Sequence, residues 1–314
     1  MTDTTAPSKR LWHEMLIYAA YYAPRGRRRL YLLAKELSVR YLHPDDLLIG
    51  IIGDEGAGKS TFIRGLFPGL ELTNDDEGVN LRSTPLFEFD TDDFFSGHTF
   101  HLDARYEAAF RQRHEIATAV RQALEHGRRV VVEHFDLLHE TLGFNAQVLF
   151  GIGEEVIVVR PTVFGPLPEA IRRVVARTIR FRRMVHSAED LTMLVLRRDY
   201  DFTPAALHSE VKHGFVICFT EEPQIDIAAL EHKVNELIRQ DLPIEPARGD
   251  SIRIGTELVR CTGTRTHVAS TGRITDFRLL HEYRQDPLSR EYMLIGMVGR
   301  SEVSGFEDLA PVVG

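Results

Sequence analysis

The stretch GIIGDEGAGKSTF, starting at Gly50, constrains this chain more than any other feature. The apolar run LLIGII leads into it and STFIRGLF leaves it, so a strand, a glycine-rich turn and a helix follow one another directly. Gly53, Gly58, Lys59 and Ser60 satisfy the spacing of a phosphate-cradling loop. In such a loop the glycines let backbone N–H groups turn inward around phosphate oxygens, Lys59 reaches the β and γ phosphates, and the Ser60 hydroxyl ligates Mg²⁺. Gly53, Asp54, Glu55, Gly56, Ala57, Gly58, Lys59, Ser60 and Thr61 are therefore expected to hold a nucleotide. No Asn-Lys-x-Asp string of the guanine-selective kind occurs, which favours ATP by elimination.

Around this loop, short apolar runs alternate with amphipathic stretches: LLIGII, STFIRGLF, TPLFEFD, ARYEAAFRQRHEIATAVRQALEHG, RRVVVEHFDLL and EEVIVVRP. That rhythm predicts an α/β fold in which helices wrap a parallel sheet, over residues 47–165. Ahead of it, LWHEMLIYAAYY and RRRLYLLAKELSVRYL carry apolar residues at helical spacing on either side of the breaker APRG, predicting a helical hairpin over 1–46. Arg25, Arg27, Arg28 and Arg29 at its turn suit either a phosphate backbone or a solvated face. After PTVFGPLPE comes an Arg-rich helix, then alternating strands and helices, so 166–314 is expected to form an α+β domain.

A phosphate loop also needs a carboxylate near its metal, because Mg²⁺ takes oxygen ligands. Two expected strand ends offer one: Glu133 in VVVEHFD, and Asp90 with Asp92 and Asp93 in LFEFDTDDFF. FEFDTDDFF, then a helix, then RRVVVEHFDLL resembles P-loop nucleoside kinases of the uridine kinase and phosphoribulokinase type. The resemblance covers roughly residues 47–160, and His134 stands where that pattern usually has glycine. It implies that Asp90, Asp92 or Asp93 activates an acceptor hydroxyl, that Glu133 serves the metal, and that an Arg-bearing helix closes over the phosphates. Arg172, Arg173, Arg177, Arg180, Arg182 and Arg183 lie on the expected helix, with Arg173 and Arg177 taken as nucleotide contacts; RNA contact and an ordinary basic surface are the other readings. His98 and His101, in SGHTFHLD, are expected in the acceptor-side loop.

The C-terminal half holds VRCTGTRTHVASTGRITDFRLLHE, LEHKVNELIRQDLPIE and HSAEDLTMLVL. Together these resemble the second additional domain of alanyl-tRNA synthetases, the editing module, in the family's order over residues 186–283. The resemblance implies a zinc site, carried onto His186, Asp190, Cys261 and His267. Asp190 replaces the family's second His, and the Cys261 to His267 spacing is two residues longer than the family's. His186 and Asp190 stand one helical turn apart, so both project from one helix face.

The formal charge of −8 argues against a generic nucleic-acid coat, which needs excess Lys and Arg. Only two cysteines, Cys218 and Cys261, and no membrane-length apolar run point to a reducing cytoplasm and no membrane partner. Three functions fit: an ATP-dependent, Mg²⁺-requiring kinase or ATPase acting on a small molecule or RNA end; an ATP-gated hydrolase of aminoacyl-tRNA or an aminoacyl compound; and a nonenzymatic ATP-dependent tRNA-binding switch. The intact phosphate loop and altered metal set rank the first ahead.

Overall fold

The computed structural model describes residues 16, 18–73, 84–87, 98–202, 206–208, 211–261 and 263–300. The chain forms two compact units. Among the described residues, one holds Tyr31–Arg177 with the segment that ends at Tyr21; the other holds Tyr22–Leu30 and Thr178–Arg300.

The first unit is built on a six-stranded sheet of β1 (Ala19–Tyr22), β2 (Leu48–Gly53), β3 (Thr99–Asp103), β4 (Arg129–Glu133), β5 (Val148–Ile152) and β6 (Glu155–Val159). Their spatial order is β1-β6-β5-β2-β4-β3. β3, β4, β2 and β5 run parallel, and β6 returns antiparallel to β5. Every residue of β2, β5 and β6 is buried. Strands covered on both faces read as continuous apolar runs, which is why these sequences show no polar alternation.

Helices α1 (Arg27–Tyr41), α2 (Lys59–Leu66), α3 (Arg113–Glu125) and the start of α4 (Pro168–Tyr200) accompany this sheet. Ile116 and Val120 of α3 join Leu102, Val130, Val132 and Leu149 in its core, with Ile171 and Val174 of α4. Each such side chain contributes about 1.5–3 kcal/mol on burial. Gly65 of α2 lets α1 approach closely: a Cβ there would collide with the Tyr31 carbonyl oxygen and the Ala34 side chain.

Several local expectations are corrected. In place of the end of the hairpin's first expected helix, Ala19–Tyr22 form a strand whose exposure alternates residue by residue, the period of a half-covered sheet edge. Pro85–Phe87 make a single 3-10 turn where a strand was expected; Glu88 to Asp90, Asp92 and Asp93 lie outside the described residues. The strand beside β4 is instead Thr99–Asp103, so His101 sits in the sheet and not in a loop. The long helix expected over 104–127 breaks into Ala104–Glu107 and α3, because Gln112 and Glu115 form a reciprocal capping box that starts a new helix. The sheet is mixed because Val148–Ile152, a strand that sequence reasoning missed, forms an antiparallel hairpin with β6. The division between the two compact units falls at Arg177, within α4.

The second unit has a meander of β9 (Ile244–Pro246), β10 (Ser251–Ile254) and β11 (Glu257–Arg260). A second sheet contains β7 (Ala206–His208), β8 (Gly214–Phe219), β12 (Arg278–Leu279), β13 (Arg284–Gln285) and β14 (Tyr292–Met297), ordered β12-β14-β8-β7 with β13 pairing β14. Helix α5 (Ile227–Arg239) starts at Asp226, whose carboxylate accepts from the Ala229 amide at 3.1 Å. Leu191 and Val195 of α4 pack with Phe215, Ile217, Leu230, Val234 and Ile252 in its core, and Cys218 is buried in β8. Among the described residues no helix is long and apolar enough to cross a membrane.

Candidate functional site

The glycine-rich loop connects the end of β2 at Gly53 to the start of α2 at Lys59. Gly58, at φ 94°, provides the left-handed turn that aims the helix start, a conformation costly to any side-chain-bearing residue. No side chain caps this helix. Its first amides therefore keep their donors, and with the helix dipole they favour an anion. Ala57 is fully buried beneath the loop, whereas Asp54, Ser60 and Thr61 are half-buried and Glu55 is exposed beside Arg105, 2.7 Å away.

Lys59 is largely buried, and its amine donates to the Asp54 carbonyl at 3.2 Å. The same amine lies 3.8 Å from the Glu133 carboxylate. Glu133 ends β4, paired in register with Ile51 of β2 and Asp103 of β3, which sets it at the carboxyl end of the sheet beside the loop. It is buried, so it is not a solvated strand terminus. His101 holds its other oxygen: Nε2 lies 3.1 Å from Glu133 Oε1, and Nδ1 lies 3.1 Å from the Thr73 amide. An amide can only donate, so Nδ1 accepts and the proton sits on Nε2, pointed at Glu133.

Asp103, which sequence reasoning did not single out, accepts from the Arg105 and Tyr106 amides at 3.0 Å each and starts the turn that follows β3. A strand ending in Asp was its available signal. His134 occupies a left-handed conformation at φ 55° just past Glu133. Burial first, then repulsion from Lys59, lowers its pKa to about 4, so it is neutral beside the loop at neutral pH. Arg172, from the first turns of α4, pairs with Asp54 of the loop and lies 3.7 Å from Asp136. Arg173 and Arg177, the residues expected to face a nucleotide, are exposed, because helical spacing turns them away from the face that carries Arg172.

In the second unit, Asp190, Cys261 and His267 converge, their ligand-type atoms all within 4.8 Å of one another. His267 Nε2 lies 2.8 Å from Asp190 and 3.7 Å from Cys261 Sγ, which also accepts from the Gly263 amide at 3.4 Å. His186 does not join the group. Its ring stands 6.2 Å from that of His267, and its buried Nδ1 has no hydrogen-bond partner. Arg25 pairs with both Glu189 and Asp190, and its guanidinium donates to Cys261 Sγ at 3.4 Å. Arg25, read from sequence as part of a nucleic-acid-gripping or solvated turn, is thus a buried counter-ion.

Neither a known family model nor a curated protein matches the chain. Function is therefore argued from the two sites themselves.

The electrostatics of the second cluster are those of a shared cation. Burial pushes Asp190 up, but Arg25 and His267 outweigh it and hold the carboxyl below its usual range. Glu189, the other partner of Arg25, is raised by burial. Burial pulls His267 down, yet its hydrogen bonds to Asp190 and Cys261 bring it up to about 9. His186 is driven well below its ordinary value by burial and then by Arg25, Arg182 and His267, so it is neutral. The donor set of carboxylate, thiol and imidazole suits a zinc-like ion, and Arg25 already lies on two of the three donors. A metal at these atoms would compete with the guanidinium.

Proposed function

We propose that the first unit is a P-loop, Mg²⁺-dependent ATP-binding phosphotransferase or ATPase. The observation that carries this reading is the Lys59 amine, held between the Asp54 carbonyl and the Glu133 carboxylate at the start of an uncapped helix. That arrangement offers a phosphate chain a cation and a row of amide donors beside a carboxylate. Ser60 and Glu133 would supply the oxygen ligands that Mg²⁺ prefers, and the bound ion would neutralise phosphate charge. Lys59 would hold the β and γ oxygens, and Glu133, aligned by His101, would turn an oxygen toward the metal. Arg172 is the α4 guanidinium nearest the loop through its pair with Asp54, and Arg173 and Arg177 complete the basic helix. Asp90, Asp92 and Asp93 are the proposed acceptor-activating carboxylates.

A second reading rests on the convergence of Asp190, Cys261 and His267. It makes the second unit, similar in its motifs to an alanyl-tRNA synthetase editing module, a hydrolase of aminoacyl-tRNA or an aminoacyl compound gated by ATP. A nonenzymatic tRNA-binding switch would use the same unit. Asp190, Cys261 and His267 would hold zinc, which supplies Lewis-acid activation of water; His186 would complete the set only by moving toward it.

The test is ADP release from Mg-ATP with a panel of nucleosides and sugars, and separately with charged and uncharged tRNA. Phosphate recovered on one small acceptor supports the phosphotransferase. Deacylation of charged tRNA without transfer supports the second reading. Absence of ATP turnover under every condition would contradict the first.

A further inference from the structure

His134 is the one described non-glycine residue of the first unit whose backbone is left-handed, at φ 55°. That conformation suits glycine, because a Cβ there crowds the following carbonyl oxygen. Its neighbours fix it on both sides. Glu133 is held by His101 and lies 3.8 Å from the Lys59 amine. Phe135 is fully buried and fills the space over Gly50 of β2, where a Cβ would stand 2.8 Å from its ring. Asp136 faces Arg172, 3.7 Å away. The Leu137 amide donates to the His134 carbonyl at 2.9 Å and closes a 3-10 turn. A turn so determined uses only the backbone of residue 134, and glycine would serve it more easily.

The imidazole itself is unspent. His134 is 8% exposed, and its ring makes no hydrogen bond to any described residue. The charges that act on it are those of Lys59, Asp103, Glu133 and Arg105, so the ends of β3 and β4 and the start of α2 surround it. Burial, then repulsion from Lys59, keeps the ring neutral, and a neutral imidazole carries one N–H donor and one accepting nitrogen. The other groups beside the loop lack a spare acceptor of this kind. The Lys59 amine and the loop amides only donate, and Glu133 is engaged by His101 and by the metal of the proposed ATP site. A ring this buried meets a water more readily than a bulky alcohol.

We propose that the His134 ring orients the water that attacks the γ-phosphate of ATP, which makes the first unit an ATP hydrolase. This rests on the reading of that unit as a Mg²⁺-dependent ATP site. The water oxygen forms a bond to the γ phosphorus while the bond from that phosphorus to the bridging oxygen breaks, and the bridging electron pair leaves with ADP. The accepting ring nitrogen holds one hydrogen of the water and so aims its lone pair at phosphorus; the water's protons end on the phosphate product and in solvent.

The experiment measures Mg-ATP hydrolysis, calorimetric ATP affinity and the denaturant midpoint of the full chain, in wild type, His134→Gly and His134→Gln. Glycine relieves the left-handed backbone, so His134→Gly is expected to unfold at or above the wild-type midpoint. Its ATP affinity should be little changed while kcat falls about a hundredfold, the loss expected for a misplaced nucleophile. Free imidazole should restore part of that rate in His134→Gly, and His134→Gln, whose amide oxygen accepts, should keep more of it. A His134→Gly protein with wild-type kcat would overturn the role of His134 and leave the ATP reading standing. Loss of ATP affinity together with kcat would make His134 a binding residue and overturn the orienting role. A fallen kcat that neither imidazole nor Gln restores would assign the loss to the backbone, with the same consequence. A wild-type chain that binds no ATP would overturn the reading of the loop, and this proposal with it.

Discussion

His101 Nε2 stands 3.1 Å from Glu133 Oε1 while its Nδ1 stands 3.1 Å from the Thr73 amide. One buried ring thus ties the chain after α2 to the carboxylate beside the glycine-rich loop. His101→Leu removes the partner of the buried Glu133 Oε1 and of the half-buried Thr73 amide, and the expected loss is about 1–3 kcal/mol of stability. His101→Gln, whose amide reaches the Nε2 position, should recover a measurable part of it. If the proposed turnover exists, kcat should fall about tenfold or more in His101→Leu with ATP affinity little changed, because His101 aligns Glu133 and touches no phosphate in this reading. Denaturant midpoints and steady-state kinetics check both; a His101→Leu protein equal to wild type in both would remove the positioning role.

The sheet around this pair was legible where burial is two-sided. LLIGII, RRVVVE and EEVIVV each predict a strand, and β2, β4 and β6 are those strands. What escaped was arbitrated by tertiary partners. TFHLD carries a histidine and an aspartate that discourage a buried-strand reading; Glu133 and Thr73 satisfy the first, and the Arg105 and Tyr106 amides satisfy the second. Nothing local in APRG marks Arg25 as a buried counter-ion, since its carboxylates are Glu189 and Asp190, more than 160 positions away along the chain. Conversely, Asp190, Cys261 and His267 converge as the motif order suggested, while His186, on the same helix face as Asp190, stays outside the group with its ring 6.2 Å from that of His267.

Arg25 supplies the second prediction. Its removal in Arg25→Ala leaves Glu189 and Asp190 buried without their cation, and breaking a buried pair of this kind costs about 3–5 kcal/mol. Because the guanidinium occupies Asp190 and Cys261, Arg25→Gln, the milder change, should bind zinc at least about tenfold more tightly than wild type. Thermal unfolding and zinc titration against a chromophoric chelator measure these effects. Equal zinc affinity in both proteins would show that guanidinium and metal do not compete.

His267 gives a pH signature. Its folded pKa of about 9 lies above the ordinary value near 6.5, so its protonated form is favoured by folding. The stabilisation is fully present below pH about 6.5 and is lost as pH rises through about 9. Its size is on the order of 3 kcal/mol. Asp190→Asn should flatten this dependence by removing the main partner of the imidazolium. Denaturant unfolding at pH about 6 and about 10 tests it, and an identical pH slope in wild type and Asp190→Asn would count against the ion pair.

The central claim is that the loop from Gly53 to Thr61 holds a nucleotide through Lys59. Calorimetric titration with ATP, with and without Mg²⁺, on the wild-type chain and on Lys59→Ala is its most direct test. The account predicts saturable, Mg²⁺-strengthened binding at one nucleotide per loop, weakened about a hundredfold in Lys59→Ala, the loss expected when a charge-assisted phosphate contact is removed. Equal ATP affinity in the two proteins, or no binding by the wild-type chain, would contradict it.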